Sequence, residues 1–241
     1  MAFSNHPEAI SSRHEIGGNM LFRILAAAAL AATLCACGTP AKIVHADDPV
    51  VKPAVSSGTL NLRRIVTKQP AGEHVGQLMA GLTCTGKGDL TTKAVNAETN
   101  DREILKVVYD ELKAANYELV GTPDDLFDDQ SRSGADFQLA GVVSNQKGNL
   151  CYPLAGLGNV QNVKGEYSLN VEWQVYSRER KAVIYSVTTA GSSKLEESTA
   201  DGFRILQFAA LRQATKGLLA DDGFRNAVAR GASSQGSRPR S

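Results

Sequence analysis

Cysteine and histidine are the residues of this 241-residue chain best suited to nucleophilic chemistry, and both are scarce. The chain has four cysteines and four histidines. Cys35 and Cys37 lie in an apolar segment near the amino terminus, which leaves Cys84 and Cys151 for the folded part. A Ser-His-Asp or Cys-His site there would have to use His74, and the sequence Gly-x-Ser-x-Gly does not occur. We therefore expect no catalytic residues and no enzymatic activity.

Two further motifs have chemical potential, and both are better explained as loops. Gly86-Lys87-Gly88 lacks the Gly-x4-Gly-Lys-Ser/Thr spacing of a phosphate loop, so we predict a turn. An acidic cluster could hold Ca²⁺ through carboxylate oxygens, but it lacks the EF-hand spacing and a closing glutamate. Its members are Asp124, Asp125, Asp128, Asp129 and Asp136. We predict a solvated acidic loop, with a surface for a basic partner as the alternative, and neither a metal nor a cofactor.

The apolar segment near the amino terminus has the length of a signal-peptide core. It covers residues 21–34, interrupted by Arg23 and Thr33, and is too short for the roughly 20 residues of a membrane-spanning helix. Arg23 supplies the positive charge that precedes such a core if translation begins at Met20. Residues 1–19 are polar, and we interpret them as a mis-assigned start or as a long amino-terminal region of the signal peptide.

This segment ends in Leu34-Cys35-Ala36-Cys37, which resembles the lipobox of bacterial lipoproteins. The resemblance implies that residues 1–36 are removed and that Cys37 receives three acyl chains. Each buried methylene contributes about 0.8 kcal/mol to membrane binding, so three chains form a firm anchor. In such lipoproteins an Asp directly after the lipidated cysteine retains the protein in the inner membrane. Gly38 stands at this position, which implies that the protein is anchored in the outer membrane and faces the periplasm. The alternative is an ordinary secretory signal.

The segments on either side of the folded part have the composition of linkers. Residues 37–58 are rich in proline, serine and glycine, and we expect a flexible tether. About 20 residues at roughly 3.3 Å each would reach about 70 Å from the bilayer. Residues 231–241 contain no apolar side chain larger than alanine or proline, so we expect a disordered basic tail.

The two remaining cysteines are candidates for a disulfide. Because the periplasm is oxidising, we expect Cys84 and Cys151 to be joined. The bridge would close a long loop and contribute about 4 kcal/mol. The alternative is two buried thiols that lie too far apart to join.

Hydrophobic periodicity predicts one α/β domain over residues 59–230. The expected strands are residues 60–66, 75–84, 117–121, 137–144, 167–176 and 181–190. The expected helices are residues 101–116 and 199–220, with a short helix from Asp222. This order predicts a two-layer α/β sandwich with a mixed, mostly antiparallel sheet and two main helices.

The predicted helix over residues 199–220 has a wider apolar surface than contact with one sheet requires. Phe208, Leu211 and Leu219 form a second apolar stripe beside the main one. Either both stripes are covered within the domain, or this second stripe contacts a partner.

Two segments of the domain resemble a known group of envelope proteins. A helix is followed by Asn116-Tyr117, and Ala135-Asp136-Phe137-Gln138-Leu139-Ala140-Gly141 resembles the strand pattern A-D-(Y/F)-x-(L/I)-x-G. Over residues 75–230 the pattern is similar to the small α/β domain of the curli secretion-channel lipoprotein, the penicillin-binding-protein activator lipoproteins and the amino-terminal domain of TolB. The resemblance implies a domain that binds envelope proteins or oligomerises.

The charge balance bears on the class of partner. The chain has 26 basic and 25 acidic residues, and a dedicated nucleic-acid binder would carry a basic excess. We expect a lipid-anchored periplasmic scaffold or adaptor that binds envelope-complex proteins or assembles with itself. One alternative is a carrier of a small ligand or lipid, which needs a cavity between sheet and helices. Another is a cell-wall hydrolase, which needs a pocket lined by perturbed acids or by His74.

Overall fold

The computed structural model describes residues 57–97, 100–123, 134–157 and 161–235. Six strands occur in this part of the chain: β1 (Leu60–Thr67), β2 (His74–Ala80), β3 (Gly86–Thr91), β4 (Phe137–Tyr152), β5 (Asn162–Ser177) and β6 (Ala182–Ala200). Its four α-helices are α1 (Thr92–Ala97), α2 (Asp101–Ala114), α3 (Gly202–Ala220) and α4 (Asp222–Gln235). The predicted signal peptide, Cys37 and the acidic loop at residues 124–129 lie outside the described residues, as does the tether up to residue 56. None of the described helices is long and apolar enough to cross a membrane.

All six strands belong to one mixed sheet. Five of them follow the order β3-β2-β4-β5-β6, and β1 pairs with β4 beside this path. The long strand β4 pairs in parallel with β1 through residues 137–143 and with β2 through residues 148–152. The pairs β2–β3, β4–β5 and β5–β6 are antiparallel. The predicted α/β sandwich with a mixed, mostly antiparallel sheet is confirmed.

The core lies between the sheet and the helices. Alternate residues of β5, from Tyr167 through Trp173 to Val175, are buried, and those between them are partly exposed. Helix α3 packs on β5 and β6, and α2 packs on α3 and β1. The strict alternation along β5 is what a strand shows when one face meets helices and the other meets solvent.

Residues 85–100, for which the hydrophobic periodicity predicts neither a strand nor a helix, contain strand β3 and helix α1. Gly86-Lys87-Gly88 is part of β3, so the predicted turn there is wrong. Strand β3 has one buried apolar residue, Leu90, and no alternating pattern of its own. Its position in the sheet is set by its pairing with β2. The predicted strand 117–121 is reduced to a single bridge between Leu119 and Leu60.

The junction of β6 and α3 also differs from the prediction. Strand β6 continues to Ala200 because Ala200 still pairs with Asn162 of β5. The chain therefore turns within one residue at Asp201, which has φ 54° and makes no side-chain cap bond. At α2, by contrast, the Asn100 side-chain oxygen accepts the Glu103 N–H at 2.9 Å and so caps the helix. Helix α4 extends to Gln235, into the segment predicted as a tail.

Candidate functional site

The structure joins Cys84 and Cys151 in a disulfide, as the cysteine count predicts. The two Cα atoms are 5.6 Å apart across a sequence separation of 67 residues. Cys151 is buried near the end of β4, and Cys84 lies in the turn between β2 and β3. The bridge therefore ties the β2–β3 hairpin to the central strand.

His74 lies at the surface, at the opposite end of β2 from the disulfide. Its Nε2 atom is 3.4 Å from the Asp89 carboxylate across the β2–β3 pair, and both side chains are more than half exposed. Exposed ion pairs of this kind contribute at most about 1 kcal/mol. Among the residues that the structure describes, no group of His, Cys, Asp and Glu has the arrangement of a metal site.

The second apolar stripe of α3 is largely covered by the domain itself. Leu211 and Leu219 are 3% and 4% exposed and belong to the core, and Phe208 is partly buried against it. For Leu211 and Leu219 the first of the two predicted alternatives holds, since the domain itself covers them, and neither leucine offers an exposed surface to a partner. The physical reason is that α3 packs against α2 as well as against β5 and β6.

The outer edge of β6 is a different candidate for contact with a partner. Strand β6 ends the sheet and pairs only with β5 among the described strands. Its first nine residues, Ala182–Ala190, contain no charged residue and no proline. We call the outward backbone of this segment the free edge. Natural proteins protect such edges with charges, prolines or covering segments, because the unpaired backbone groups bind other strands.

In the second half of β6, a side chain of α3 and charged residues protect the strand edge from pairing with another strand, whereas the first half has no such protection. The Ser192 N–H donates to the Gln213 side-chain oxygen at 2.6 Å, so a side chain of α3 covers this part of the edge. The second half also includes the charged residues Lys194, Glu196 and Glu197. Because backbone direction alternates along a strand, the N–H groups of Ser186 and Thr188 point outward like that of Ser192.

A small cavity lies between the helices and the sheet, and two glutamines line it. Gln146 stands in an irregular part of β4, directly after Asn145, which has φ 49°. Its side-chain oxygen accepts the Tyr167 hydroxyl at 2.6 Å. Gln207 of α3 donates from Nε2 to the Val95 carbonyl at 2.9 Å. The remaining atoms, Gln146 Nε2 and Gln207 Oε1, have no hydrogen-bond partner among the described residues.

This arrangement also affects Tyr167. Burial raises the pKa of the Tyr167 hydroxyl, and a hydrogen bond with Gln207 opposes that rise. The hydroxyl therefore stays protonated and donates to Gln146. We name Gln146, Tyr167 and Gln207 the glutamine cluster. No sequence pattern predicts this cluster, because the irregularity in β4 brings Gln146 onto the core side, and glutamines are usually exposed.

A larger cavity of about 200 Å³ lies between the start of β6 and helix α4. Its lining includes Ile184, Tyr185 and Asn226. The Tyr185 hydroxyl donates to the Asp221 carboxylate, which also accepts the Phe224 N–H at 2.7 Å. Burial, this hydrogen bond and the Asp221 charge together raise the pKa of Tyr185 to about 12.

No protein-family model and no curated protein sequence matches the chain. Solved structures do match. A Xanthomonas campestris protein of the DUF330 family is 13% identical, with a TM-score of 0.40 over 77% of this chain and 95% of that one. The LpoB C-terminal domain of Salmonella enterica is 12% identical, with a TM-score of 0.28 over 59% and 86%. Lipoprotein GNA1162 of Neisseria meningitidis is 8% identical, with a TM-score of 0.34 over 65% and 96%.

These scores are too low to support a functional argument. A lipoprotein is among the structures that the chain is similar to. The likeness to the curli secretion-channel lipoprotein and to TolB stays a prediction from the sequence.

Proposed function

We propose that this chain is a lipid-anchored periplasmic scaffold that binds another envelope protein, or a second copy of itself, through the free edge, Ala182–Ala190. The lipobox at Cys37 supports the anchor, and Gly38 supports the outer membrane. The tether over residues 37–58 would let the domain meet partners away from the bilayer. Binding, with no chemical step, is the activity proposed.

The uncharged edge of β6 is the observation that carries this proposal. An extended segment of a partner adds to such an edge as a further strand, with backbone hydrogen bonds supplying affinity. The contrast within β6 supports a role for its first half. Charges and Gln213 protect the second half, whereas the first half has β-branched and small residues with outward N–H groups.

A photo-crosslinking residue at Thr188 tests the proposal in intact cells that carry the full-length lipoprotein. Thr188 is exposed on the free edge. We expect a defined crosslinked product, either with one envelope protein or with a second copy of the chain. The matched control places the same residue at Arg102, which is exposed on α2.

A second substitution separates edge pairing from general proximity. Thr188→Pro removes an outward N–H and leaves the pairing with β5 intact, because proline is tolerated where the N–H faces away from the ladder. With the crosslinker moved to Ser186, we expect Thr188→Pro to abolish the product and Thr188→Val to preserve it. A product that persists with proline, that also forms from Arg102, or that joins the edge to the chain's own amino-terminal segment would contradict the proposal.

A further inference from the structure

The cavity of about 200 Å³ beside helix α4 lies at the end of the domain where the tether enters. Its lining includes Phe137, the first residue of β4. Gly58 lies against that ring, since a Cβ atom added at Gly58 would be 2.8 Å from it. The Gly58 N–H donates to the Val228 carbonyl of α4 at 3.4 Å. We call this space the tether-end cavity, because the chain that leads from Cys37 meets the domain beside it.

The turn between β5 and β6 closes the same end of the domain. Its four residues, 178–181, lie between the two strands. The Arg178 N–H donates to the Asp136 carbonyl at 3.1 Å, and the Asp136 carboxylate accepts the Thr59 N–H at 2.9 Å. Asp136 therefore holds the turn next to the point where the tether enters.

This turn is basic and exposed. Arg178, Arg180 and Lys181 are all exposed, and Glu179 is the single acid among the four residues. None of the ion pairs among the described residues includes one of these three cations. Arg180 also lines the tether-end cavity. Because a guanidinium binds a phosphate through two parallel N–H groups, this rim of the cavity favours an anionic oxygen group.

The other polar groups at the cavity are compatible with an anion. The Tyr185 hydroxyl donates to the Asp221 carboxylate, which also accepts the Phe224 N–H at 2.7 Å. The charge of this carboxylate is therefore shared with two donors of the domain itself. Asn226 is exposed and lines the cavity from α4, and its amide can donate to an oxygen of a ligand.

The cavity volume limits the size of the bound group. At roughly 10–15 Å³ for each water-sized group, a cavity of about 200 Å³ holds between one and two dozen non-hydrogen atoms. A phosphodiester with a small polar headgroup has about ten such atoms and fits, whereas the acyl chains of a lipid do not. The volume is also below the roughly 300–1,000 Å³ of a site for a whole drug-sized molecule.

We propose that the tether-end cavity binds the headgroup of an anionic phospholipid in the membrane that holds the anchor. Arg180 binds the phosphate, Asn226 donates to a headgroup oxygen, and the Phe137 ring contacts the headgroup carbons. A zwitterionic headgroup would add an ammonium group, which Arg178 and Lys181 would repel. The site therefore selects a headgroup that carries a net negative charge.

This inference rests on the lipid anchor of the proposed function. A flexible chain of about 20 residues has an average end-to-end distance of about 25 Å. A tether of that length gives an effective concentration in the millimolar range for the group that it holds nearby. A site that is too weak to bind a free headgroup in solution is therefore occupied at the membrane.

The test inserts the full-length lipoprotein into vesicles of equimolar phosphatidylcholine and phosphatidylglycerol. A photo-crosslinking residue replaces Ala182, which is exposed directly after the turn. Mass spectrometry measures the adducts with each lipid, and we expect several-fold more adduct with phosphatidylglycerol. Added salt should lower this ratio, because it screens the exposed arginine and lysine charges.

Two variants locate the site. Arg180→Gln removes the guanidinium, and Asn226→Trp fills the rim of the cavity without a change of charge. Both positions are exposed, so we expect both variants to fold and to bring the adduct ratio close to one. The matched controls are Arg64→Gln, exposed on β1, and Ala114→Trp, exposed at the end of α2. Both controls should keep the ratio of the parent protein.

Separate measurements distinguish this proposal from the proposed function. The intact mass of the purified protein reports whether Cys37 carries acyl chains, and crosslinking from Thr188 reports on the free edge. If Cys37 carries none, the anchor is wrong, whereas the adduct ratio in the same sample decides on the cavity.

The outcomes separate a bound headgroup from its competitors. A preference for phosphatidylglycerol that both cavity variants remove and both controls keep supports the proposal. A preference that survives Asn226→Trp would overturn it, because the charged turn would then attract the membrane without the cavity. Equal adducts with the two lipids in the parent protein would also overturn it. Inorganic phosphate that abolishes the preference at constant ionic strength would overturn it in favour of a soluble phosphate.

Discussion

The indole of Trp173 connects three parts of the core through one chain of hydrogen bonds. Trp173 is fully buried, and its Nε1–H donates to the Thr189 hydroxyl at 2.7 Å. That hydroxyl donates in turn to the Ala214 carbonyl of α3 at 2.7 Å. Thr189 therefore provides the acceptor for the buried indole N–H. Without this acceptor, the unpaired N–H would cost about 1–3 kcal/mol.

Replacing this hydroxyl isolates the contribution of the indole bond. We expect Thr189→Val to lower the free energy of unfolding by about 1–3 kcal/mol, because shape is kept while the indole N–H loses its acceptor. Urea titration followed by tryptophan fluorescence measures the change. Thr188→Val, one residue away and exposed, should change it by less than about 0.5 kcal/mol. Equal effects of the two substitutions would contradict this role for Thr189.

At the scale of elements, the position of α3 on β6 depends on a glycine. A Cβ atom added at Gly191 would lie 1.8 Å from the Ala210 carbonyl oxygen of the helix backbone. We expect Gly191→Ala to force α3 outward and to cost about 1–3 kcal/mol or more. Gly88→Ala is the control, because its Cβ would lie 3.7 Å from Leu78, an ordinary contact. Urea midpoints that fall equally in both variants would argue against a close approach at Gly191.

The disulfide acts on the hairpin of β2 and β3, which has few buried residues of its own. Reduction should lower the free energy of unfolding by about 4 kcal/mol, because the 67-residue separation makes the closed loop long. Urea titration with and without reductant measures this difference. A Cys84→Ala, Cys151→Ala variant should match the reduced protein and no longer respond to reductant. A response in that variant would show that another cysteine is responsible.

At the scale of the whole molecule, the fold class could be predicted from the sequence, whereas the free edge and the glutamine cluster could not. Alternation along residues 167–176 and the Asn100 cap are local signals, and the structure has both features. Strand β3 has no such signal, since its place depends on pairing with β2. The glutamine cluster depends on an irregularity in β4, and the free edge on β6 being last in the sheet. Both are consequences of topology, which no short stretch of sequence specifies.

Three buried or partly buried tyrosines give the whole domain a dependence on alkaline pH. Burial raises the pKa of Tyr117 to about 12, with the Arg225 charge opposing, and Tyr185 also has a pKa of about 12. Burial raises the pKa of Tyr167 as well. An unfolded tyrosine loses its proton near pH 10. Above about pH 10 the unfolded chain therefore binds fewer protons than the folded chain, and stability must fall with rising pH.

We expect the tyrosine contribution to be complete below about pH 10 and to be lost progressively as the pH rises toward 12. Urea titrations across this interval, with tyrosinate absorbance as a second signal, measure the loss. A Tyr117→Phe, Tyr185→Phe variant should have a shallower decline, because two of the linked protons are removed. It will also start from a different stability at neutral pH, so the slopes are compared and not the midpoints. An unchanged slope would mean that these two hydroxyls do not account for the alkaline unfolding.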